Sequence, residues 1–213
     1  MSCTLCPASS ALILNVMGWF SEFLQWLGLT RREVGVLVIG LDNAGKTTVV
    51  RALQRELGKE PLPAGSVDAL EVSPTLGYSE DTVLTTHLRV KMVDMAGQVA
   101  YRDLWKYYFD PKQTHGIIFV VDTADKKRLG ETAQAFGSLL ETSELAEVPI
   151  LVLCNKCDLV SSVSRTEVLR QLGVSKMMKR STLAVATDAK GNPKSVLVGF
   201  DWLCFAIRER GWV

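Results

Sequence analysis

The sequence predicts an α/β protein with a mostly parallel six-stranded sheet and helices on both faces. Apolar runs of strand type alternate with amphipathic runs of helical type along most of the chain. A glycine-rich segment, G-L-D-N-A-G-K-T at 40–47, directly follows the first apolar run. Further polar motifs follow later apolar runs, which places them at the carboxyl ends of strands. Ligands of open α/β sheets bind at those ends.

Each element has its own local signal. Strands are predicted where β-branched and large apolar residues cluster, at 34–39, 78–84, 88–93, 116–122, 148–154 and 182–186. Helices are predicted over the periodic runs 47–57, 129–140, 165–172 and 196–208, with another around 101–109. The three residues 85–87 are long enough only for an antiparallel hairpin between the second and third strands. The proline- and glycine-containing stretch 59–74 reads as a loop.

The length of the chain is enough for one domain with a well-buried core plus additional terminal or loop segments. The chain has 213 residues, with 24 Lys and Arg against 23 Asp and Glu. This balance gives no electrostatic footprint for nucleic acid. The short basic cluster Lys176, Lys179 and Arg180 is interpreted as a solvated face, with membrane or partner contact as the alternative.

The segment at 40–47 has the G-x-x-x-x-G-K-[ST] form of a phosphate loop. Its glycines allow the backbone to fold around phosphate oxygens, and the following helix N-terminus attracts the anion. Lys46 is expected to reach the outer phosphates, and the Thr47 hydroxyl is expected to bind Mg²⁺. The predicted phosphate-binding residues are Gly40, Asp42, Asn43, Ala44, Gly45, Lys46, Thr47, Thr48 and, from a later segment, Gly97.

Two segments that follow the phosphate loop in the sequence complete the predicted chemistry. In D-M-A-G-Q at 94–98, Asp94 can hold the Mg²⁺ shell through water, and Gly97 permits close approach to a γ-phosphate. Gln98 is placed to orient an attacking water. In P-T-L-G at 74–77, Thr75 can bind Mg²⁺ through its hydroxyl and the γ-phosphate through its N–H. Gln98, Lys46 and Thr75 are therefore the predicted catalytic residues, and Thr47, Thr75 and Asp94 the metal-binding ones.

The segment N-K-C-D at 155–158 ends a third apolar run and favours guanine as the base. Asp158 can accept hydrogen bonds from the N1–H and 2-amino groups of guanine, a pattern that adenine cannot supply. Asn155 and Lys156 complete that motif. Ala186 and Thr187, which follow the last predicted strand, are expected to close the base pocket through backbone N–H groups.

These motifs together resemble the Arf and Arf-like small GTPases. The resemblance rests on G-L-D-N-A-G-K-T-T at 40–48, P-T-L-G-Y at 74–78 and D-M-A-G-Q at 94–98, and it extends from Met17 to about Arg210. It implies a Ras-like α/β fold, binding of GTP or GDP with Mg²⁺, and switching between two states. It also implies an exchange factor and a GTPase-activating protein as partners, and a cytoplasmic location with peripheral membrane binding in the GTP form.

One departure from the family concerns the surface that binds effectors. Most members have W-D-[VI]-G-G-Q, whereas this chain has Val93 in place of Trp and Ala96 in place of the first Gly. The family's effector patch would here consist of Tyr78, Val93 and Tyr108. The run at 93–105 is most similar to that of a ciliary member, which recruits the Bardet–Biedl-syndrome coat (the BBSome). The resemblance thus implies a coat or effector partner and a place at the base of a cilium or flagellum.

The N-terminus predicts a membrane-binding helix. Aromatic and leucine residues between 19 and 29 form one broad apolar face, which suits a membrane interface or the protein's own surface. A signal peptide and a membrane-spanning helix are the alternatives. We predict a disordered extension at 1–16, an amphipathic helix at 17–30 and a small GTPase domain at 33–213. Ser2 excludes N-myristoylation at the second residue, and Gly18 is an acceptor only if translation begins at Met17.

The five cysteines form two C-x₂-C pairs, at Cys3 and Cys6 and at Cys154 and Cys157. We do not expect them to bind zinc, because Cys154 is predicted to end a buried strand and Cys157 lies in the guanine motif. The odd count suits a reducing compartment. The sequence therefore predicts a GTP-dependent switch with slow, partner-accelerated hydrolysis. The alternatives are a scaffold that holds GTP without hydrolysing it and a P-loop kinase or ATPase.

Overall fold

The computed structural model describes residues 31–58, 77–174 and 180–211. The predicted N-terminal extension and helix, the 59–74 loop, Thr75, Lys176 and Lys179 lie outside these residues.

The strands form a six-stranded sheet in the order β2-β3-β1-β4-β5-β6. Only β2 and β3 pair antiparallel, and each of the other neighbouring pairs is parallel. This confirms the mostly parallel sheet and the hairpin across 85–87. The bounds are β1 Arg32–Ile39, β2 Tyr78–Leu84, β3 Leu88–Met95, β4 Gly116–Asp122, β5 Ile150–Asn155 and β6 Thr182–Ala186.

Within the described residues, four α-helices connect and follow these strands. They are α1 Lys46–Leu57, α2 Leu129–Leu140, α3 Arg165–Leu172 and α4 Leu197–Glu209. The helix predicted around 101–109 is a 3₁₀ helix, Val99–Tyr108. Shorter 3₁₀ turns, Lys126–Arg128 and Pro193–Val196, lead directly into α2 and α4.

The sheet buries a separate apolar cluster on each face, as a doubly covered sheet requires. On one face, α1 and α4 pack their buried side chains, such as Leu53 and Phe200, against alternate residues of β1, β4 and β5. On the other face, α2, α3 and the 3₁₀ helix cover the intervening residues, with Phe119 against Phe136 at 4.8 Å between ring centroids. This alternation explains why the central strands read as continuous apolar runs in the sequence.

Small differences from the predicted bounds have local causes. Strand β5 begins at Ile150 rather than Val148 because Pro149 has no N–H to donate to a ladder. The Pro149 carbonyl still accepts a hydrogen bond from Ile117 N at 3.0 Å. Strand β3 continues two residues beyond Val93, to Met95, because Tyr78 of the hairpin still pairs with Met95 there. No helix within the described ranges is long and apolar enough to cross a membrane.

Candidate functional site

The phosphate loop lies between the end of β1 and the start of α1. Gly40 and Gly45 have φ of 145° and 96°, which an L side chain rarely adopts. A Cβ on Gly40 would overlap the Val120 carbonyl, and one on Gly45 would overlap the Asn155 side-chain amide. Asn43 is also left-handed, with φ of 59°. Helix α1 has no side-chain cap and no acidic residue in its first turn, so its N-terminus is open to an anion.

Lys46 is the buried cation of this loop. It is 7% exposed, and its Nζ donates a hydrogen bond to the Leu41 carbonyl at 2.9 Å. Burial lowers the pKa of Lys46 to about 8, although the nearby carboxylates of Asp94 and Asp42 act in the opposite direction. A phosphate anion at this position would stabilise the protonated form further and raise this pKa again.

Thr47 and Asp94 form a pair suited to a hard cation. Thr47 Oγ1 donates to Asp94 Oδ2 at 2.5 Å, while Asp94 Oδ1 is buried without a hydrogen-bond partner. Burial raises the pKa of Asp94, and the Thr47 hydrogen bond and the Lys46 charge oppose that rise. An orphaned carboxylate oxygen beside a hydroxyl is the kind of oxygen set that Mg²⁺ binds directly or through water. The residues present therefore fit a magnesium ion.

The segment after β3 is held by the 3₁₀ helix that follows it. Trp105 Nε1 donates to the Ala96 carbonyl at 3.1 Å, and Arg102 Nε donates to the Gly97 carbonyl at 2.9 Å. Ala96 N also donates to the Gly77 carbonyl at 2.9 Å, which joins this segment to the chain that leads into β2. Gly97 is buried, whereas Gln98 is exposed. The Gln98 side chain is thus accessible to solvent, at the residue that follows the one packed on the phosphate loop.

Asn155 links the base motif to the phosphate loop. It is 3% exposed, its Nδ2 donates to the Ala44 carbonyl at 3.0 Å, and its Oδ1 accepts from Ala189 N at 3.1 Å. Both polar ends of the side chain are therefore bound to protein. This gives Asn155 a positioning part in addition to the motif membership that the sequence indicates.

Lys156 and Asp158 follow Asn155 at the sheet edge. Lys156 has φ of 62°, and its Nζ donates to Asp122 Oδ2 at 2.6 Å. Asp158 is exposed. Thr187 is fully buried and closes this loop, because its N donates to the Cys154 carbonyl at 2.9 Å and its carbonyl accepts from Cys157 N at 3.2 Å. Ala186, beside it, is exposed.

Five charged residues beside the phosphate loop were missed by the sequence reasoning. Arg128 Nη1 lies 3.0 Å from Asp42 Oδ1, and Arg102 Nη2 lies 2.7 Å from Glu131 Oε1. Asp125 binds Arg128 Nε at 2.7 Å, and Asp122 holds Lys156. Asp122 could have been found, because it is a carboxylate at a strand end like Asp94. The two arginines and Glu131 carry no motif signal.

The structure thus brings together every predicted nucleotide-site residue that it describes, at the carboxyl ends of β1, β3, β5 and β6. The predicted effector residues lie elsewhere, on the hairpin and the end of the 3₁₀ helix. The rings of Tyr78 and Tyr108 are in tilted contact, with 5.3 Å between their centroids. A cavity of about 80 Å³ lies beside them, between Val93, Gly35 and Thr114.

Comparison with known proteins adds three findings. Residues 20–207 match the ADP-ribosylation factor family. The ADP-ribosylation factor-like protein 6 of Danio rerio is 35% identical over 195 residues, covering 90% of this chain and 98% of that protein. The ADP-ribosylation factor-like protein 3 of Caenorhabditis elegans is 35% identical over 188 residues, covering 88% and 95%.

A solved structure shares the fold. It is the Arl6 BBS3 small GTPase of Trypanosoma brucei with the bound nucleotide analogue GppNp, with a TM-score of 0.71 and 25% sequence identity. The match covers 83% of this chain and 98% of that one.

Proposed function

Because this chain belongs to the ADP-ribosylation factor family of small GTPases, we propose that it is a switch whose GTP-bound form associates with membrane and recruits effectors in vesicular or ciliary membrane-protein traffic. Family membership establishes its basic chemistry: the chain binds GTP and GDP with Mg²⁺ and hydrolyses GTP. The observation that carries the proposal is the meeting of the phosphate loop, the Thr47–Asp94 pair and the N-K-C-D segment at one edge of the sheet.

The phosphates are bound by the loop from Gly40 to Thr48, with Lys46 as its cation. Thr47 and Asp94 hold Mg²⁺, which supplies positive charge to the phosphate oxygens. In the free protein, the Lys46 ammonium donates a hydrogen bond to the Leu41 carbonyl. When nucleotide binds, a phosphate oxygen replaces this carbonyl as the acceptor, and the new hydrogen bond is stronger because the phosphate is charged. Thr75, from outside the described residues, completes the metal site in the GTP form.

The base is selected by Asp158, whose exposed carboxylate accepts two hydrogen bonds from guanine. Lys156 is held beside it by Asp122, and the exposed Ala186 closes the pocket with its backbone N–H. The Thr187 N–H, which the sequence also assigned to this pocket, is instead used by the Cys154 carbonyl, so Thr187 holds the loop in place. Asn155 keeps this pocket at a fixed distance from the phosphate loop through Ala44. The base and phosphate subsites therefore act as one rigid unit.

Hydrolysis depends on Gln98, which orients water towards the γ-phosphate. Gly97 provides the close backbone approach to that phosphate. Both arginines near the loop are neutralised, Arg128 by Asp42 and Asp125 and Arg102 by Glu131. Because neither of these two arginines is free to stabilise the transition state in the part of the chain that the structure describes, we expect unassisted turnover to be slow and an activating protein to accelerate it. An exchange factor resets the switch.

The effector patch, Tyr78, Val93 and Tyr108, binds the partner of the GTP form. Val93 stands where most of the family has Trp, and the neighbouring cavity can take an apolar side chain of the partner. Relatives named for Arl6 and BBS3 support a coat of the BBSome type as that partner, at the base of a cilium or flagellum. Membrane binding is assigned to the predicted helix at 17–30, preceding the GTPase domain at 33–213.

Nucleotide binding followed by single-turnover hydrolysis tests the proposal. GTP and GDP should bind with similar affinity and ATP far more weakly, and bound GTP should be hydrolysed slowly. Tight GTP binding without hydrolysis would indicate the scaffold instead. ATP binding with transfer to a second substrate would indicate a kinase.

The effector patch is tested with the purified BBSome and the protein loaded with a non-hydrolysable GTP analogue. Val93→Trp should fill the cavity and weaken retention of the complex, while nucleotide binding is unchanged. Phe205→Ala, an exposed aromatic on α4 away from the patch, is the matched control and should retain it. Equal retention of both variants would remove the patch from the proposal.

A further inference from the structure

We propose that Arg102 and Glu131 form a positioning pair that holds the Gly97–Gln98 segment against the phosphate loop, so that helix α2 controls GTP hydrolysis. This inference rests on the function proposed above. It assigns parts to two residues that carry no motif signal and do not themselves contact the substrate.

The first observation is how closely Gly97 packs on the phosphate loop. A Cβ on Gly97 would overlap the Asp42 amide nitrogen, the Leu41 carbonyl carbon and the Gly40 carbonyl oxygen. The backbone of Gly97 therefore lies directly on the loop. A small shift of this segment changes the place from which Gln98 can reach a water at the phosphates.

The second observation is what keeps the segment in that place. Arg102 Nε donates to the Gly97 carbonyl at 2.9 Å, and the same guanidinium pairs through Nη2 with Glu131 Oε1 at 2.7 Å. The Arg102 side chain is only 18% exposed, so these contacts are poorly screened by solvent. Since Glu131 lies in the first turn of α2, the pair connects this helix to the residue before Gln98.

The third observation is that the loop side of this contact is also fixed. Asp42 Oδ1 lies 3.0 Å from Arg128 Nη1 and 3.8 Å from Arg102 Nη2. Arg128 is itself held by Asp125 at the turn that leads into α2. The phosphate loop and the Gln98 segment are thus both connected to the same end of α2 by arginine side chains, each of which makes more than one contact.

A positioning pair acts on the chemical step more than on nucleotide affinity. The phosphates and the base are bound by the loop and the N-K-C-D segment, which Arg102 meets only through the Asp42 side chain, at 3.8 Å. Loss of the guanidinium releases Gly97 and lets Gln98 sample orientations that do not direct water. A misplacement of about 1 Å in a reacting group can cost roughly a hundredfold in rate.

The test measures single-turnover hydrolysis in protein preloaded with GTP and Mg²⁺, together with dissociation of a fluorescent GDP analogue. Arg102→Ala should slow hydrolysis by about tenfold or more while dissociation changes by less than about threefold. Arg102→Lys should not restore the rate, because one ammonium group cannot replace the two separate guanidinium nitrogens that meet the Gly97 carbonyl and Glu131. Glu131→Ala combined with Arg102→Ala should be no slower than Arg102→Ala alone, because the two act as one unit.

Chemical rescue separates positioning from general damage to the fold. Guanidinium at about tens of millimolar, far below denaturing concentrations of a few molar, should partly restore hydrolysis by Arg102→Ala and leave Gln98→Leu unchanged. Arg170→Ala is the matched control, because Arg170 forms a similar two-contact pair with Glu167 on the exposed face of α3. That variant should hydrolyse GTP at the unmutated rate.

The outcomes distinguish this inference from the proposed function. If the unmutated protein hydrolyses GTP and Gln98→Leu is slow, but Arg102→Ala keeps the full rate, the positioning pair is wrong and the switch stands. Parallel loss of hydrolysis and GDP retention in Arg102→Ala, without guanidinium rescue, also contradicts the pair. If the unmutated protein does not hydrolyse GTP, the proposed function itself fails.

Discussion

At the scale of single residues, two buried charged side chains lie at the nucleotide-binding edge of the sheet. Lys46 and Asp94 are both nearly inaccessible, and burial moves their pKa values in opposite directions, down for the ammonium and up for the carboxyl. Each charged form is therefore costly until a ligand supplies its counter-charge. A polyphosphate and a divalent cation bound together provide both counter-charges, which explains why the two bind as one substrate.

Base selection is the sharpest prediction for a single residue. Asp158→Asn inverts the donor and acceptor pattern at the carboxylate, so GTP should bind about 2–3 kcal/mol more weakly and xanthosine triphosphate should bind better. Competition of the two nucleotides against a fluorescent GDP analogue measures this. Unchanged preference for guanine in the variant would remove Asp158 from the base pocket.

Site residues that belong to a motif with fixed spacing could be predicted from the sequence. Site residues that meet only through tertiary packing could not. Lys46, Thr47 and Asp94 were found because glycine spacing and strand ends limit what can lie there. Arg102 and Glu131 are 29 positions apart in sequence and meet only because the 3₁₀ helix and α2 pack on the same face of the sheet. Ordinary surface helices also carry such residues, so their charge alone does not distinguish them.

At the scale of elements, the middle of β1 is hydrogen-bonded to a histidine that directly precedes β4. His115 Nδ1 accepts a hydrogen bond from Gly35 N at 3.0 Å, and burial lowers the pKa of His115. A folded-state pKa below the ordinary value of about 6.5 means that the stabilisation is fully present above that pH. It is lost as the pH falls, because the unfolded chain takes up the proton first.

Thermal unfolding between about pH 7 and pH 5 measures this contribution, across the ordinary histidine pKa. The melting temperature should fall towards acid pH, and His115→Gln should fall less steeply because it has no group to protonate there. His87→Gln, at the exposed hairpin turn, is the control and should keep the unmutated slope. Identical slopes for the two variants would contradict the assignment to His115.

Element bounds were predicted well where independent sequence signals agree. The bounds of β2, β4, β6, α2 and α3 agree with the sequence because apolar periodicity and turn residues coincide there. The segment Val99–Tyr108 was predicted only as a helix near 101–109, and its 3₁₀ form follows from tertiary contacts. Trp105 and Arg102 both bind carbonyls of the preceding segment, which a sequence pattern cannot show.

For the whole molecule, the nucleotide site and the point where the proposed membrane-binding segment joins the domain lie at opposite ends of the sheet. The nucleotide residues follow the carboxyl ends of the strands, whereas residue 31, where the predicted helix at 17–30 joins the domain, precedes the amino end of β1. We expect coupling between the ends to pass through the β2–β3 hairpin. Ala96 N bound to the Gly77 carbonyl is one physical link between the Gln98 segment and that hairpin.

This coupling predicts nucleotide-dependent membrane binding. In the GDP form, the predicted helix should lie in a groove beside the hairpin, and GTP should draw Thr75 and Gly97 inward and expel it. Liposome flotation should recover more protein with a non-hydrolysable GTP analogue than with GDP, since only differential affinity can shift the equilibrium.

Replacing Trp19, Phe20 and Phe23 together with Ala should abolish the difference and spare nucleotide binding. Val160→Ala, an exposed apolar residue near the base motif, is the control and should keep it. Equal flotation in both nucleotide states would indicate a constitutive anchor or a switch that works without membrane.

The most direct test of the GTPase switch is single-turnover hydrolysis by Gln98→Leu beside the unmutated chain, with both loaded with GTP and Mg²⁺. The variant should bind GTP with nearly unchanged affinity and hydrolyse it far more slowly, because the water loses its orienting group while the phosphate and base contacts remain. Hydrolysis by Gln98→Leu at the unmutated rate, with and without an activating protein, would contradict the mechanism.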